Sequence, residues 1–170
     1  FTLGEGVAYG ENDIKAGARA LTGFTFNNNE FVFNDDWHDK GRKRILGKTG
    51  NFGGDDLVKI ILGRPEVSEF MSWKLYRFFV NDLPAGPDTK QKAFIKALAR
   101  KMREVKYDFG PVLETLFKSQ HFYDEANICA EIKSPIQLVV QAVRSLNTPI
   151  LDVNILVEAC DLMGQTLFEP

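Results

Sequence analysis

Residues 87 to 105, PDTKQKAFIKALARKMREV, constrain the fold of this chain more than any other stretch. Phe94, Ile95, Leu98, Ala99, Met102 and Val105 recur at spacings of three and four, and Lys and Arg fill the positions between them. That period puts the apolar residues on one face of an α-helix, which needs a second apolar surface to cover it. The chain supplies such surfaces repeatedly. DDLVKIILG reads as a short helix capped by Asp55, and RPEVSEFMSWKLYRFFV as a longer one with Pro65 at its first position and Glu66 and Glu69 in its first turns. GPVLETLFKSQHF, SPIQLVVQAVRSLN and DVNILVEACDLMG complete the set, with Ser134 and Asp152 as caps and Gly164 as a stop. LPAGP, residues 83 to 87, reads as a tight loop between helices.

The first third of the chain differs. GENDIKAGARALTGF is a helix by its spacing, with Asn12 or Asp13 near the cap, Ile14, Ala18 and Leu21 on one stripe, and Gly23 as the stop. In FTFNNNEFVFN, Phe24 and Phe26, then Phe31 and Phe33, alternate around an Asn run, which predicts a β-hairpin. HDKGRKRILGKTGNFGGDD follows, and its glycines at 41, 47, 50, 53 and 54 leave only KRIL as a short strand. The expectation is a mainly α fold of roughly seven helices packed as one bundle-like domain, residues 1–170, with a small β-hairpin insertion near residues 24–46. With 44% apolar residues, the chain can build a core of that kind.

Charge narrows the function classes. The net charge of −2 argues against a generally basic nucleic-acid binder, but the distribution is uneven. Residues 1–39 hold two basic against seven acidic side chains, residues 40–118 seventeen against nine, and residues 119–170 two against seven. Lys92, Lys96, Arg100 and Arg103 recur along the helix of residues 88–106. A solvated face is the simpler use of them, since long cationic side chains commonly cover apolar surface; polyanion binding is the sharper one. The only aromatic in that helix, Phe94, lies on its apolar face, which argues against a nucleic acid. The aromatic run around Phe70, Trp73, Leu75, Tyr76, Phe79 and Val80 reads as core. Cys129 and Cys160 are the only cysteines, and buried free thiols are the favoured reading of both. No apolar stretch is long enough to span a membrane.

The glycine-rich stretch invites several chemistries and fits few. GRKRILGKT has five residues between Gly41 and Gly47 where a phosphate-binding loop has four, and GNFGG follows it instead of a helix. Lys48-Thr49-Gly50 echoes the penicillin-binding enzymes, but no Ser-x-x-Lys accompanies it. Aligned as a calcium loop, His38, Lys40 and Gly47 fall where oxygen ligands belong. Asp35, Asp36, His38 and Asp39 are acceptable metal donors by type, yet Asp39 pinning a turn and His38 hydrogen-bonded is the simpler use, so no metal ligand is assigned. No cofactor is indicated by these residues.

FTLGEGVAYGENDIKAGARALTGF, HDKGRKRILGKTG, KLYRFFV, YDFGPVLETLFKSQHF, IKSPIQLVV and LMGQTLFEP, taken in order, resemble successive motifs of the bacterial domain-of-unknown-function family 1800. The most specific block is H-D-x-G-x-K-x-x-L-G, met by His38, Asp39, Gly41, Lys43, Leu46 and Gly47, together with ARALTG at residues 18–23. The resemblance implies the carboxy-proximal part of a longer protein, in keeping with a chain that opens at Phe1, and an exported or envelope setting. It implies no activity.

The leading expectation is a partner- or ligand-binding module of an envelope-associated protein, with Arg19, His38, Asp39 and Lys43 lining the site and either a protein or a small molecule as the partner. The rival is a hydrolase-type enzyme with His38 as general base, Asp39 orienting it and Lys43 stabilising an anion. A third reading is polyanion binding through the basic helix, residues 88–106.

Overall fold

A computed structural model describes residues 3, 4, 9–83, 85–147, 149, 152–166, 168 and 169. Among these residues the protein is mainly α, with seven α-helices and two small antiparallel hairpins. Helix α1 (Glu11–Ala20) leads into β1 (Phe24–Asn27) and β2 (Glu30–Phe33), then β3 (Lys43–Ile45) and β4 (Lys48–Gly50). Helices α2 (Gly54–Leu62), α3 (Pro65–Phe79), α4 (Thr89–Glu104) and α5 (Phe109–Lys118) follow; two 3₁₀ turns, Gln120–Tyr123 and Glu125–Asn127, precede α6 (Pro135–Leu146) and α7 (Val153–Leu162).

Local chemistry accounts for most helix ends. Asp88 accepts from the Gln91 amide at 2.8 Å while the Gln91 side chain accepts from the Asp88 amide, so two orphan donors at the start of α4 satisfy each other's residues. Ser134 and Gln137 form the same reciprocal pair at α6, with Pro135 at the first position, and Asp152 caps α7 through Asn154. Two caps differ from the expectation. Helix α1 starts behind Gly10, not at Asn12 or Asp13, and the Asp13 carboxylate instead reaches back to the Gly10 amide at 3.0 Å. Helix α2 starts behind Gly53, and Asp56, not Asp55, accepts from its amide. A carboxylate in the first turn serves these orphan donors as well as one at the cap, so sequence alone places the boundary two or three residues late.

The expected hairpin forms with Phe24 opposite Phe33 and Phe26 opposite Phe31, turned by Asn28 and Asn29, both at positive φ. All four rings therefore share one face. The second hairpin corrects the reading of residues 38–56, which allowed only one short strand there. Lys43 pairs with Gly50 and Ile45 with Lys48 around a two-residue turn, Leu46-Gly47, also at positive φ.

Two clusters form the core. Tyr76, Val80, Leu83, Ile95, Leu98, Met102, Val112 and Leu116 join α3, α4 and α5. Ala16, Ala20, Ile45 and Ile60 join α1, β3 and α2. The stripe expected to face the core from α1 does not: Ile14 is 60% and Leu21 48% exposed, and Ala16, Gly17 and Ala20 are buried instead. Small side chains let β3 approach the helix closely, which turns the larger residues outward. Both cysteines are free; Cys160 is buried as expected, but Cys129 is exposed. No helix among the described residues is long and apolar enough to cross a membrane.

Candidate functional site

The last turn of α1 and the loop from Asn34 to Arg42 meet at a dense polar junction. Arg19 donates from Nε to Asp39 Oδ2 at 2.6 Å and from Nη2 to Asp39 Oδ1 at 3.2 Å, a two-pronged pair whose planar fork matches the carboxylate. Oδ1 also accepts from the Gly41 amide at 2.8 Å. Arginine and amide both favour the charged form, and together they hold the Asp39 carboxyl down at about 2 from its ordinary 3.8. The guanidinium is shifted upward in turn by the same bond. Glycine at 41 is required by this pair, since a Cβ there would lie 2.9 Å from both Arg19 Nη2 and Asp39 Oδ1.

Lys43 is buried, with its side chain inaccessible to solvent. Its ammonium donates to the Asp39 carbonyl and, at 3.1 Å, to the Gly41 carbonyl, and stands 3.9 Å from Asp39 Oδ1. A buried charge is stable only when so paired. The cation thereby closes the loop 39–43 around itself, and β3 begins from it.

His38 is turned elsewhere. Its Nδ1 lies 2.9 Å from the Thr22 carbonyl, which can only accept, so Nδ1 carries the proton. The ring packs on Phe33 with centroids 5.5 Å apart. Thr22 Oγ1 accepts from the Asp39 amide at 2.8 Å and donates to the Arg19 carbonyl at 2.7 Å. Arg19, Asp39 and Lys43 are thus brought together, whereas Asp39 makes no bond to His38, and all four of these side chains hold backbone or each other.

An apolar groove of about 580 Å³ lies on the other side of the same elements. Ile14, Ala18 and Leu21 of α1, Ile45 and Leu46 of the second hairpin, and Leu57 and Ile61 of α2 form its walls, with Tyr9 and Leu3 at one end. None of the four polar residues lines it. Leu46 reaches its place from a left-handed backbone, φ 48°, and its amide donates to Asp13 Oδ1 at 2.7 Å. Asp13 thus ties the start of α1 to the hairpin turn, and these two bonds depress its pKa.

A second polar chain went unrecognised in the sequence. His121 Nδ1 donates to Asp124 Oδ2 at 3.0 Å, and its Nε2 accepts from the Tyr76 hydroxyl at 2.9 Å. Asn127 donates to the His121 carbonyl at 2.7 Å. The order carboxylate, imidazole, hydroxyl is that of an acid–base relay, but Tyr76 is fully buried and burial pushes its pKa up. This polar chain ties α3 to the 3₁₀ turns. The only signal for it was the His-x-x-Asp spacing in QHFYD. No group of three or more His, Cys, Asp or Glu side chains that could hold a metal occurs among the described residues.

Fold and junction together define a mainly helical module whose first helix is clamped to a β-hairpin by an arginine, an aspartate and a buried lysine. The whole chain, residues 1–170, matches the family described as "Protein of unknown function (DUF1800)", and the protein belongs to it. Comparison with curated proteins and with solved structures finds no match.

Proposed function

We propose that the protein is a binding module that takes an apolar ligand, or apolar side chains of a partner, in the groove between α1, the second hairpin and α2. The observation that carries this reading is the outward turn of Ile14 and Leu21 beside Ile45, Leu46, Leu57 and Ile61. A concave, mostly apolar surface of several hundred Å³ is the usual form of a small-molecule site. Arg19, Asp39 and Lys43 serve such a site as positioning residues, because the loop they brace leads into β3, whose Ile45 forms the floor of the groove and whose following turn presents Leu46. The engagement of Asp39 with Arg19 and Gly41 favours binding over hydrolysis, since a general-base histidine at position 38 would lack its orienting carboxylate. The bacterial-envelope setting belongs to the same proposal and rests on the family resemblance.

The test uses a fluorescent apolar probe, anilinonaphthalene sulfonate, with the native protein and two groove variants. Saturable binding that Ala18→Trp and Ile14→Glu each abolish, with the thermal midpoint unchanged, supports the groove. Binding indifferent to both substitutions refutes it.

A further inference from the structure

We infer that the seam between α3 and α4 binds single-stranded nucleic acid. This does not depend on the groove, which is built from other elements. Lys92, Lys96 and Arg100 follow one another at four-residue steps along α4, about 6 Å apart along its axis at 1.5 Å per residue. None makes an ion pair with a described residue, and Glu104 is the only acidic residue in the helix. By itself such a row is a solvated face. The neighbouring helix changes that.

Packing of α3 on α4 brings Phe70 and Trp73 alongside the row: both rings border a hollow of about 250 Å³ together with Lys92, Lys96 and Ile95. The two rings are stacked, with centroids 5.7 Å apart and planes 27° from parallel. Lys74 Nζ stands 5.0 Å over the Phe70 ring and the Arg77 guanidinium 5.0 Å over Trp73, so cations and aromatic planes alternate on α3 as well. Four carboxylates are present: Glu69 borders the hollow, Asp82 pairs with Arg77 at 2.8 Å, Asp88 caps α4 one turn before Lys92, and Glu104 lies one turn beyond Arg100. Against the five cations they leave an excess of one positive charge, and Lys92, Lys96 and Arg100 make no ion pair with any of the four.

The objection that α4 lacks aromatics among its cations applies to that helix alone, because α3 supplies them. A polyanion without planar groups would use the cations and leave the rings idle. A single strand uses both, with phosphates along the lysine row and bases against Trp73 and the guanidinium stacked on it.

The experiment is a fluorescence-anisotropy titration of the protein with a labelled oligothymidylate of about 12 nucleotides, within the site sizes common for single-strand binders. Binding is expected at about 25 mM salt and should weaken steeply by about 200 mM, with a log–log slope near −2 for three cations at about 0.7 per phosphate. Lys92→Gln/Lys96→Gln should lower affinity about tenfold or more at low salt. Trp73 emission, isolated by Trp37→Phe, should be quenched on binding. All three substitutions replace exposed side chains, and an unchanged thermal midpoint verifies the fold. Absence of binding at low salt, or binding that the double substitution leaves intact, overturns the inference. So does heparin binding as tightly as the oligonucleotide with Trp73 emission unchanged, which would make the seam a docking face for polyanions without bases.

Discussion

Lys43→Met removes the ammonium at the centre of the α1–hairpin junction and keeps the length of the apolar stem. Replacing a buried ion by an apolar residue is often neutral or stabilising, because the desolvation cost of the charge disappears with it. Here the partners cannot be removed with the ion. They are the backbone carbonyls of Asp39 and Gly41, and a buried acceptor left unserved costs about 1–3 kcal/mol. Gly41 is exposed and its carbonyl can take a water, whereas Asp39 is only partly accessible. The loss should therefore be about 2–3 kcal/mol, dominated by the Asp39 carbonyl. In urea, a slope of about 2 kcal/mol per M turns this into a midpoint lower by more than about 1 M at unchanged slope. Lys48→Met, on the exposed strand β4, should stay within about 0.5 kcal/mol and serves as the control. A Lys43→Met midpoint equal to that control, or above the parent, would refute the carbonyl cage as a source of stability.

Acid should expose the Arg19–Asp39 pair. The folded carboxyl titrates at about 2, below its ordinary 3.8, so the unfolded chain takes up the proton first. The contribution is complete above about pH 4, falls as pH drops through the interval between these values, and is gone below the folded one. Thermal midpoints of Asp39→Asn and parent, measured from pH 6 to 2, should converge over that interval; a constant gap would contradict the pair. Gly23→Ala tests the entry to the first hairpin. Gly23 has φ +89° and a Cβ there would lie 2.7 Å from the Asn34 carbonyl, so the substitution should cost about 2 kcal/mol or more by urea unfolding. A loss under about 0.5 kcal/mol would mean that the backbone relaxes freely at this position.

The helices were legible because their signals are local. Asp88 finds Gln91 and Ser134 finds Gln137 within a single turn, and the apolar stripe of α4 buries Ile95, Leu98, Ala99 and Met102 as its spacing predicts. The β1–β2 hairpin was legible for the same reason, since its Asn turn and alternating Phe lie within ten residues. The second hairpin was not. Its strands are three residues each, too short to display a period of two, and its Leu46 turn is held by Asp13, a residue 33 positions earlier.

The candidate residues divide along the same line. Arg19, His38, Asp39 and Lys43 could be singled out from the family pattern, but their partners could not. Arg19 meets Asp39 across 20 positions, and His38 meets the Thr22 carbonyl across 16. Spacing in sequence cannot show which of these side chains face a ligand and which face each other. The outward turn of Ile14 and Leu21 likewise follows from β3 packing on the small residues of α1, and the meeting of Phe70 and Trp73 with Lys92 and Lys96 follows from the packing of α3 on α4. The amino-acid sequence by itself determined which segments are helical and where most of them end, because those choices are made by free energies acting within four residues. Only the tertiary structure decided which faces stay open and which charges are engaged, because those depend on contacts between residues far apart in the chain.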